Sequence, residues 1–241
     1  MPAALITGGT TGIGRATAEL LHARGYQVAV TGRNPDSLAR ARRELPGDVL
    51  VVRSDARVLA DTEVLAATVS ERFGRLDLLF LNAGIFQPAP VADVTEEAFD
   101  EQVDVNFKGQ FFTLQKALPL MNDGGSIVFT VGIGARRGSP GATLGAATRG
   151  ALLAMLPSLA LELAPRRIRV NAVSPGATET PLFDKLAVPQ SGRDAMRANI
   201  PFERFGSSRE VAEVVAFLGS DAAGYVTGQD VAVAGGYGLG V

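Results

Sequence analysis

Short apolar runs, about five residues long and rich in Val, Ile and Leu, recur at Ala3 to Ile6, Val28 to Val30, Val49 to Val52, Leu76 to Leu81, Ile127 to Val131, Ile168 to Val173 and Val231 to Val233. Their apolarity is continuous rather than alternating, which marks strands covered on both faces. Between them the spacing shifts to a helical period over Ile13 to Arg24, Ser37 to Leu45, Thr62 to Phe73, Glu96 to Met121, Leu144 to Leu163 and Arg209 to Leu218. Strand and helix alternate from end to end. That order predicts an α/β fold, a doubly wound seven-stranded parallel sheet with right-handed crossovers and helices on both faces. No linker, repeat or low-complexity tract divides residues 1–241, which read as one domain. The one interruption, residues 180–206, is rich in Pro, Gly and charge and long enough to be an insertion over the strand ends, where a substrate lid would sit.

Charge and composition narrow the partners. The chain carries 23 Lys and Arg against 25 Asp and Glu, interleaved, for a net charge of −2. Without a basic block there is no electrostatic footprint for nucleic acid or an anionic membrane, and a small-molecule substrate is expected instead. The absence of cysteine excludes disulfides, thiolate nucleophiles and cysteine metal sites, and no metal is expected. Met1 runs through Ala3-Ala4-Leu5-Ile6 straight to Gly8 and Gly9, too short for a signal segment, and with no long apolar run a soluble cytoplasmic protein is expected.

Candidate chemistry begins directly after the first strand, at Thr7-Gly8-Gly9-Thr10-Thr11-Gly12-Ile13-Gly14. Glycines at a strand-to-helix turn let the backbone approach a pyrophosphate, while the free N–H groups of the helix face its charge. The spacing Gly-x-x-x-Gly-x-Gly is joined by Asn82-Ala83-Gly84 at the end of the fourth strand, Asn106 within Asp104-Val105-Asn106-Phe107, Arg169 to Gly176 closing the sixth strand, and Tyr225-Val226-Thr227-Gly228-Gln229 before the last. In this ordered set, which spans nearly the whole chain, the sequence resembles the short-chain dehydrogenase/reductase family. The resemblance implies a Rossmann-like fold and a nicotinamide dinucleotide held by Gly8, Thr10, Thr11, Gly12, Ile13 and Gly14. It further implies Asp55 and Ala56 at the adenine, Asn82, Ala83 and Gly84 at the adenosine ribose, Thr130 and Arg149 nearby, and Pro175, Gly176, Thr178 and Thr180 flanking the nicotinamide. A homodimer or homotetramer is implied as well.

The second strand ends Val30-Thr31-Gly32-Arg33 with no acidic residue. A carboxylate there would bond the free 2′-hydroxyl of NAD, whereas a guanidinium suits a 2′-phosphate, so NADP(H) is preferred over NAD(H). A solvated loop arginine is the plain alternative for Arg33, and Thr11 stands where many NADP-using relatives place a second basic residue.

The family's reaction residues are Asn, Ser, Tyr and Lys, and by that resemblance only Asn106 matches. The serine position falls on Gly132, the tyrosine on Gly145 and the lysine on Arg149. Arg149 keeps a positive charge that can position a ribose, but it does not pass protons near neutrality. Losing a general acid costs about a hundred- to ten-thousandfold in rate, so ordinary ketone reduction is expected to be severely impaired. Three readings follow: an atypical NADP(H)-dependent oxidoreductase acting on an iminium or activated carbonyl, a non-catalytic NADP(H)-binding regulatory or partner subunit, and a non-redox isomerase or cyclase on the same fold. Arg136, Arg137, Ser139, Thr143 and Thr148 carry donors near the altered positions, though solvated roles are the plainer reading. Thr130 is a candidate substitute hydroxyl. His22, the only histidine, sits late in the first helix, where it complements the helix C-terminus. Pro157 is expected to kink the long helix it interrupts.

Overall fold

The structure, a computed structural model, describes residues 1–186 and 188–239, without the side chains of Asp184 and Lys185. In chain order it runs β1 (Ala3–Ile6), α1 (Gly12–Ala23), β2 (Gln27–Gly32), α2 (Pro35–Glu44), β3 (Leu50–Arg53), α3 (Leu59–Phe73), β4 (Leu76–Leu81), α4 (Glu96–Val103), α5 (Gly109–Ala117) and β5 (Met121–Thr130). It continues with α6 (Thr143–Leu163), β6 (Arg169–Pro175), β7 (Thr178–Glu179), α7 (Pro181–Lys185), α8 (Gln190–Ala198), β8 (Gly206–Ser207), α9 (Ser208–Leu218) and β9 (Asp230–Val233). Seven strands form one parallel sheet in the order β3-β2-β1-β4-β5-β6-β9. The winding reverses between β1 and β4, which pair through Leu5 and Leu79, so a crevice opens at their C-terminal ends.

Neighbouring residues of each central strand serve opposite faces. Leu5, Leu79 and Phe129 join Leu152 and Leu156 of α6 in one core layer, while Ile6, Phe80 and Val128 join Val211 and Val215 of α9 in the other. Both faces are dry, which is why these strands read as unbroken apolar runs rather than alternating ones.

The expected helix from Glu96 to Met121 is divided. After α4 the chain widens into a π-turn over Asp104–Lys108, in which Gly109 N–H donates to the Asp104 carbonyl, then resumes as α5 and ends in a short tight turn at Leu118–Leu120, around Pro119. Met121 belongs to β5, paired with Leu76. Pro157 does not interrupt α6. It is exposed on the outer side of the helix.

Against the expectation of no long apolar run, Thr143–Arg166 is apolar and long enough to cross a membrane by length and composition, with a mean hydropathy of 1.4. Leu152, Leu156, Ala160 and Leu163 of this helix are buried against the sheet, the behaviour of a core helix, while Leu161 on its outer side is 77% exposed.

The 180–206 segment is built rather than loose. β7 pairs with β8 across it, and Phe183 stacks on Phe205 with ring centres 5.1 Å apart beside buried Ile200. It leads into a capping box: Ser207 accepts from Glu210 N–H, and the Glu210 carboxylate accepts from Ser207 N–H at 2.8 Å and from Arg204 at 2.6 Å. Arg204 first, and the Ser207 amide next, hold the Glu210 carboxyl down to about 2, from an ordinary 4.5. Because the folded value lies below the unfolded one, this stabilisation is full above pH 4.5 and is lost as pH falls toward 2. Glu210→Ala should therefore cost about 1 kcal/mol at pH 7. In urea titrations the gap from wild type should narrow below pH 4.5; a gap that widens there would refute this account.

Candidate cofactor and active site

The first turn of the crevice is fixed by a close backbone approach. Gly8 and Gly12 take positive φ of 65° and 54°, and a Cβ on Gly14 would lie 2.4 Å from the Gly8 carbonyl oxygen. From below, Thr7 Oγ1 accepts from the Asn82 and Ala83 amides at 2.9 and 3.0 Å, and Asn82 Nδ2 donates to the Thr7 carbonyl at 3.1 Å. Thr130 Oγ1 donates to Asn82 Oδ1 at 3.0 Å, extending the lock to β5. The Thr130 hydroxyl is thus already engaged.

α1 begins without help from its own side chains. Thr11 makes no capping bond and the first turn holds no acid, so its leading N–H groups are left for an anion. A cleft of about 510 Å³ runs from Gly8, Thr10, Thr11, Gly12 and Ile13 past Arg33, Asp55 and Ala56 to Asn82, Ala83, Gly84 and Gln110, with Thr180 on its other side. Gln110 is buried, donates from Nε2 to the Ala83 carbonyl at 2.6 Å, and leaves Oε1 as the buried side-chain atom without a partner among the described residues. A turn that admits no Cβ, a bare helix start and an unmet acceptor in one elongated cleft fit a dinucleotide.

Gly14, Asn106, Thr130, Arg149, Pro175, Gly176 and Thr178 lie outside the cleft lining. Gly14 still shapes it through Gly8, and Thr130 through Asn82. Asn106 is fully buried. Its Oδ1 accepts from Ile85 N–H at 2.8 Å, and its Nδ2 donates to the Ile85 carbonyl at 3.0 Å and to Thr148 Oγ1 at 3.2 Å. These bonds consume the side chain and pin the π-turn, so Asn106 acts as a brace.

Arg149 donates from Nη1 to the Thr130 carbonyl at 2.8 Å, and its Nη2 lies where a Cβ on Gly84 would be, 1.7 Å from that position. No carboxylate pairs with it among the described residues. Part of it meets solvent, but surrounding protein desolvates the guanidinium and pushes it down to about 10, still charged at neutral pH.

The two glycines beside it differ in kind. Gly132 has φ of 99°, a conformation that side chains rarely adopt. Gly145 is buried with room taken: a Cβ there would meet the Phe86 ring at 2.8 Å. Among the described side chains, none of the tyrosines stands beside a lysine. Tyr225 is fully exposed, Tyr237 lies under the Arg137 guanidinium at 4.1 Å, and the Tyr26 phenol is raised by burial and nearby Asp77. Lys108 pairs with Asp104 and Lys116 with Glu63.

Among the other candidates, Arg136 pairs with buried Asp230 at 2.8 Å and His22 with Asp48 at 2.9 Å. Sequence reasoning missed Phe86, Arg57, Glu101 and Gln110. Only Arg57 carried a local signal, as a second arginine near the adenosine end, two residues after Asp55. No group of three or more His, Asp or Glu among the described residues is arranged to hold a metal.

Comparison with known proteins now decides the family. A family profile described as Enoyl-(Acyl carrier protein) reductase matches residues 8–238. A 3-oxoacyl-[acyl-carrier-protein] reductase FabG of Thermotoga maritima is 40% identical, over 96% of this chain and 96% of that protein. The chain belongs to the short-chain dehydrogenase/reductase family. It is thus a nicotinamide-dependent oxidoreductase by type, on the Rossmann-like fold of that family. A glucose/ribitol dehydrogenase of the short-chain dehydrogenase/reductase family from Brucella melitensis superposes with a TM-score of 0.93 at 35% identity, covering 99% of this chain and 97% of the other. A blue fluorescent protein from a metagenomic library, solved in complex with NADPH, superposes at 0.91 with 31% identity, over 98% of this chain and 97% of the other.

The contact between Gly84 and Arg149 has a measurable consequence. Gly84→Ala should cost about 1–3 kcal/mol by overpacking, and markedly less in an Arg149→Ala background, where the guanidinium is gone. Urea denaturation of the four proteins measures this coupling. Additive losses would contradict the contact.

Proposed function

We propose that this short-chain dehydrogenase/reductase is an NADP(H)-dependent oxidoreductase that works without a phenolic acid, on a substrate that leaves no alkoxide behind. An iminium ion meets that condition, and the alkoxide from a strongly activated carbonyl compound is weakly basic enough to take its proton from water rather than from a phenol. The observation carrying this reading is Gly145 beneath the Phe86 ring, at the position where the family's tyrosine is expected. Among the described side chains no tyrosine is paired to a lysine to replace it, and Arg149 at the lysine position remains a fixed cation. The bound cofactor would supply or accept the hydride.

The protein's own contribution is then positional. The Gly8–Gly14 turn and the bare start of α1 hold the pyrophosphate, Arg33 favours the 2′-phosphate, Asn106 braces the π-turn, and Arg149 offers N–H donors to ribose hydroxyls. An iminium carbon already carries positive charge, so hydride addition needs neither a proton nor an oxyanion donor. Residues 180–206, with their own apolar cluster, act as the substrate cover. The protein would work in the cytoplasm as a homodimer or homotetramer, for which the exposed outer side of α6 offers a surface.

A second reading, a non-catalytic NADP(H)-binding subunit, draws support from the cleft ending short of Gly132, Gly145 and Arg149. One experiment separates the two. With saturating NADPH, cyclic imines should be turned over, and simple ketones at least about a hundredfold more slowly, as expected without a general acid. Calorimetry and light scattering on the same sample report cofactor affinity and assembly. Binding without turnover on either class selects the second reading; ketones reduced as fast as imines would contradict both.

A further inference from the structure

At the adenosine end of the cleft, Arg33 and Asp55 meet two further charges, Arg57 and Glu101. Arg33, at the end of β2, donates to Glu101 of α4 at 3.1 Å and lies 3.9 Å from Asp55. Arg57 holds both oxygens of Asp55, with contacts of 2.6 to 3.2 Å, and reaches Glu101 at 3.5 Å. Gln87 Nε2 donates to the other Glu101 oxygen at 2.8 Å. Asp55 is buried, whereas Arg33 and Arg57 are about two-fifths exposed, at 39% and 42%.

The four formal charges sum to zero, so the arginine expected to receive a 2′-phosphate is already neutralised in this structure. The Glu101 carboxyl is held below the usual carboxylate range by Gln87 first and Arg33 next, and Asp55 is held low chiefly by Arg57. Both acids therefore stay ionised at neutral pH. Arg57 saturates Asp55, which leaves Glu101 as the acid competing directly for Arg33.

Resting on the NADP(H) reading above, we infer that Glu101 is a specificity-determining residue: its carboxylate competes with the cofactor's 2′-phosphate for Arg33 and restrains the preference for NADP(H) over NAD(H). A phosphate monoester brings close to two negative charges. To bind it, Arg33 must leave Glu101, and the carboxylate left beside the anion opposes it. NAD(H), which carries a hydroxyl at that position, leaves the Arg33–Glu101 pair intact. The competition acts through partly exposed groups, so it weakens with added salt.

The test is Glu101→Gln, which keeps the side chain's size and an oxygen for Gln87 while removing the charge. Dissociation constants for NADPH and NADH are measured by calorimetry at low and high salt, with melting temperature as a check on folding. NADPH should bind about fivefold tighter to the variant, with NADH changed less than about twofold, and the gain should shrink at high salt. In an Arg33→Ala background the same substitution should no longer tighten NADPH. Equal changes for both nucleotides, no change, or a gain that survives loss of Arg33 would each overturn the inference. Failure of wild type to bind either nucleotide would instead sink the cofactor reading, and this inference with it.

Discussion

The backbone of Gly14 lies so near the carbonyl of Gly8 that no side chain fits between them, and Asn82 ties the same turn to β4 from underneath. Everything else in the site is placed relative to that contact. It sets where α1 starts, and so where its unpaired N–H groups point. Through Asn82 it also sets the position of Thr130, whose carbonyl receives Arg149. The constraint comes from sheet topology, because β1 and β4 are neighbours at the reversal of winding, and their C-terminal ends must share one crevice.

On the proposed reading, the chain keeps the cofactor-binding half of the family's equipment across that crevice and rebuilds the other. The pyrophosphate end is glycine because the backbone needs proximity. The glycines at the far end have other causes: Gly132 sits in a conformation that favours glycine, and Gly145 yields its space to Phe86. Arg149, longer than lysine, folds onto Gly84 and a carbonyl. On the proposed reading the change reaches into backbone and packing, beyond the exchange of a few side chains.

Much of the architecture was legible because of its two dry faces: Leu5 and Ile6 bury on opposite sides, and the unbroken apolar run records both. The break at Asn106 was not legible, since a π-turn adds one residue without altering the helical look of its surroundings. Met121 was misread for a related reason, an apolar residue serving a helix end and a strand start equally well. Glycine spacing announced the cradle. Glu101, the hydrogen-bond partner of Arg33, by contrast comes from α4, and nothing local in the sequence links the two. Phe86 gains meaning only beside Gly145, which the sequence leaves far away.

On the proposed reading, side chains alone do not restore a proton donor at Gly145, because the Phe86 ring occupies the space. The most direct test is the joint variant Gly132→Ser, Gly145→Tyr and Arg149→Lys, assayed for ketone reduction and melting temperature, alone and with Phe86→Ala. The account predicts a destabilised triple variant without ketone reduction, and partial recovery of stability when Phe86 is removed. A triple variant that melts with wild type and reduces ketones would contradict it.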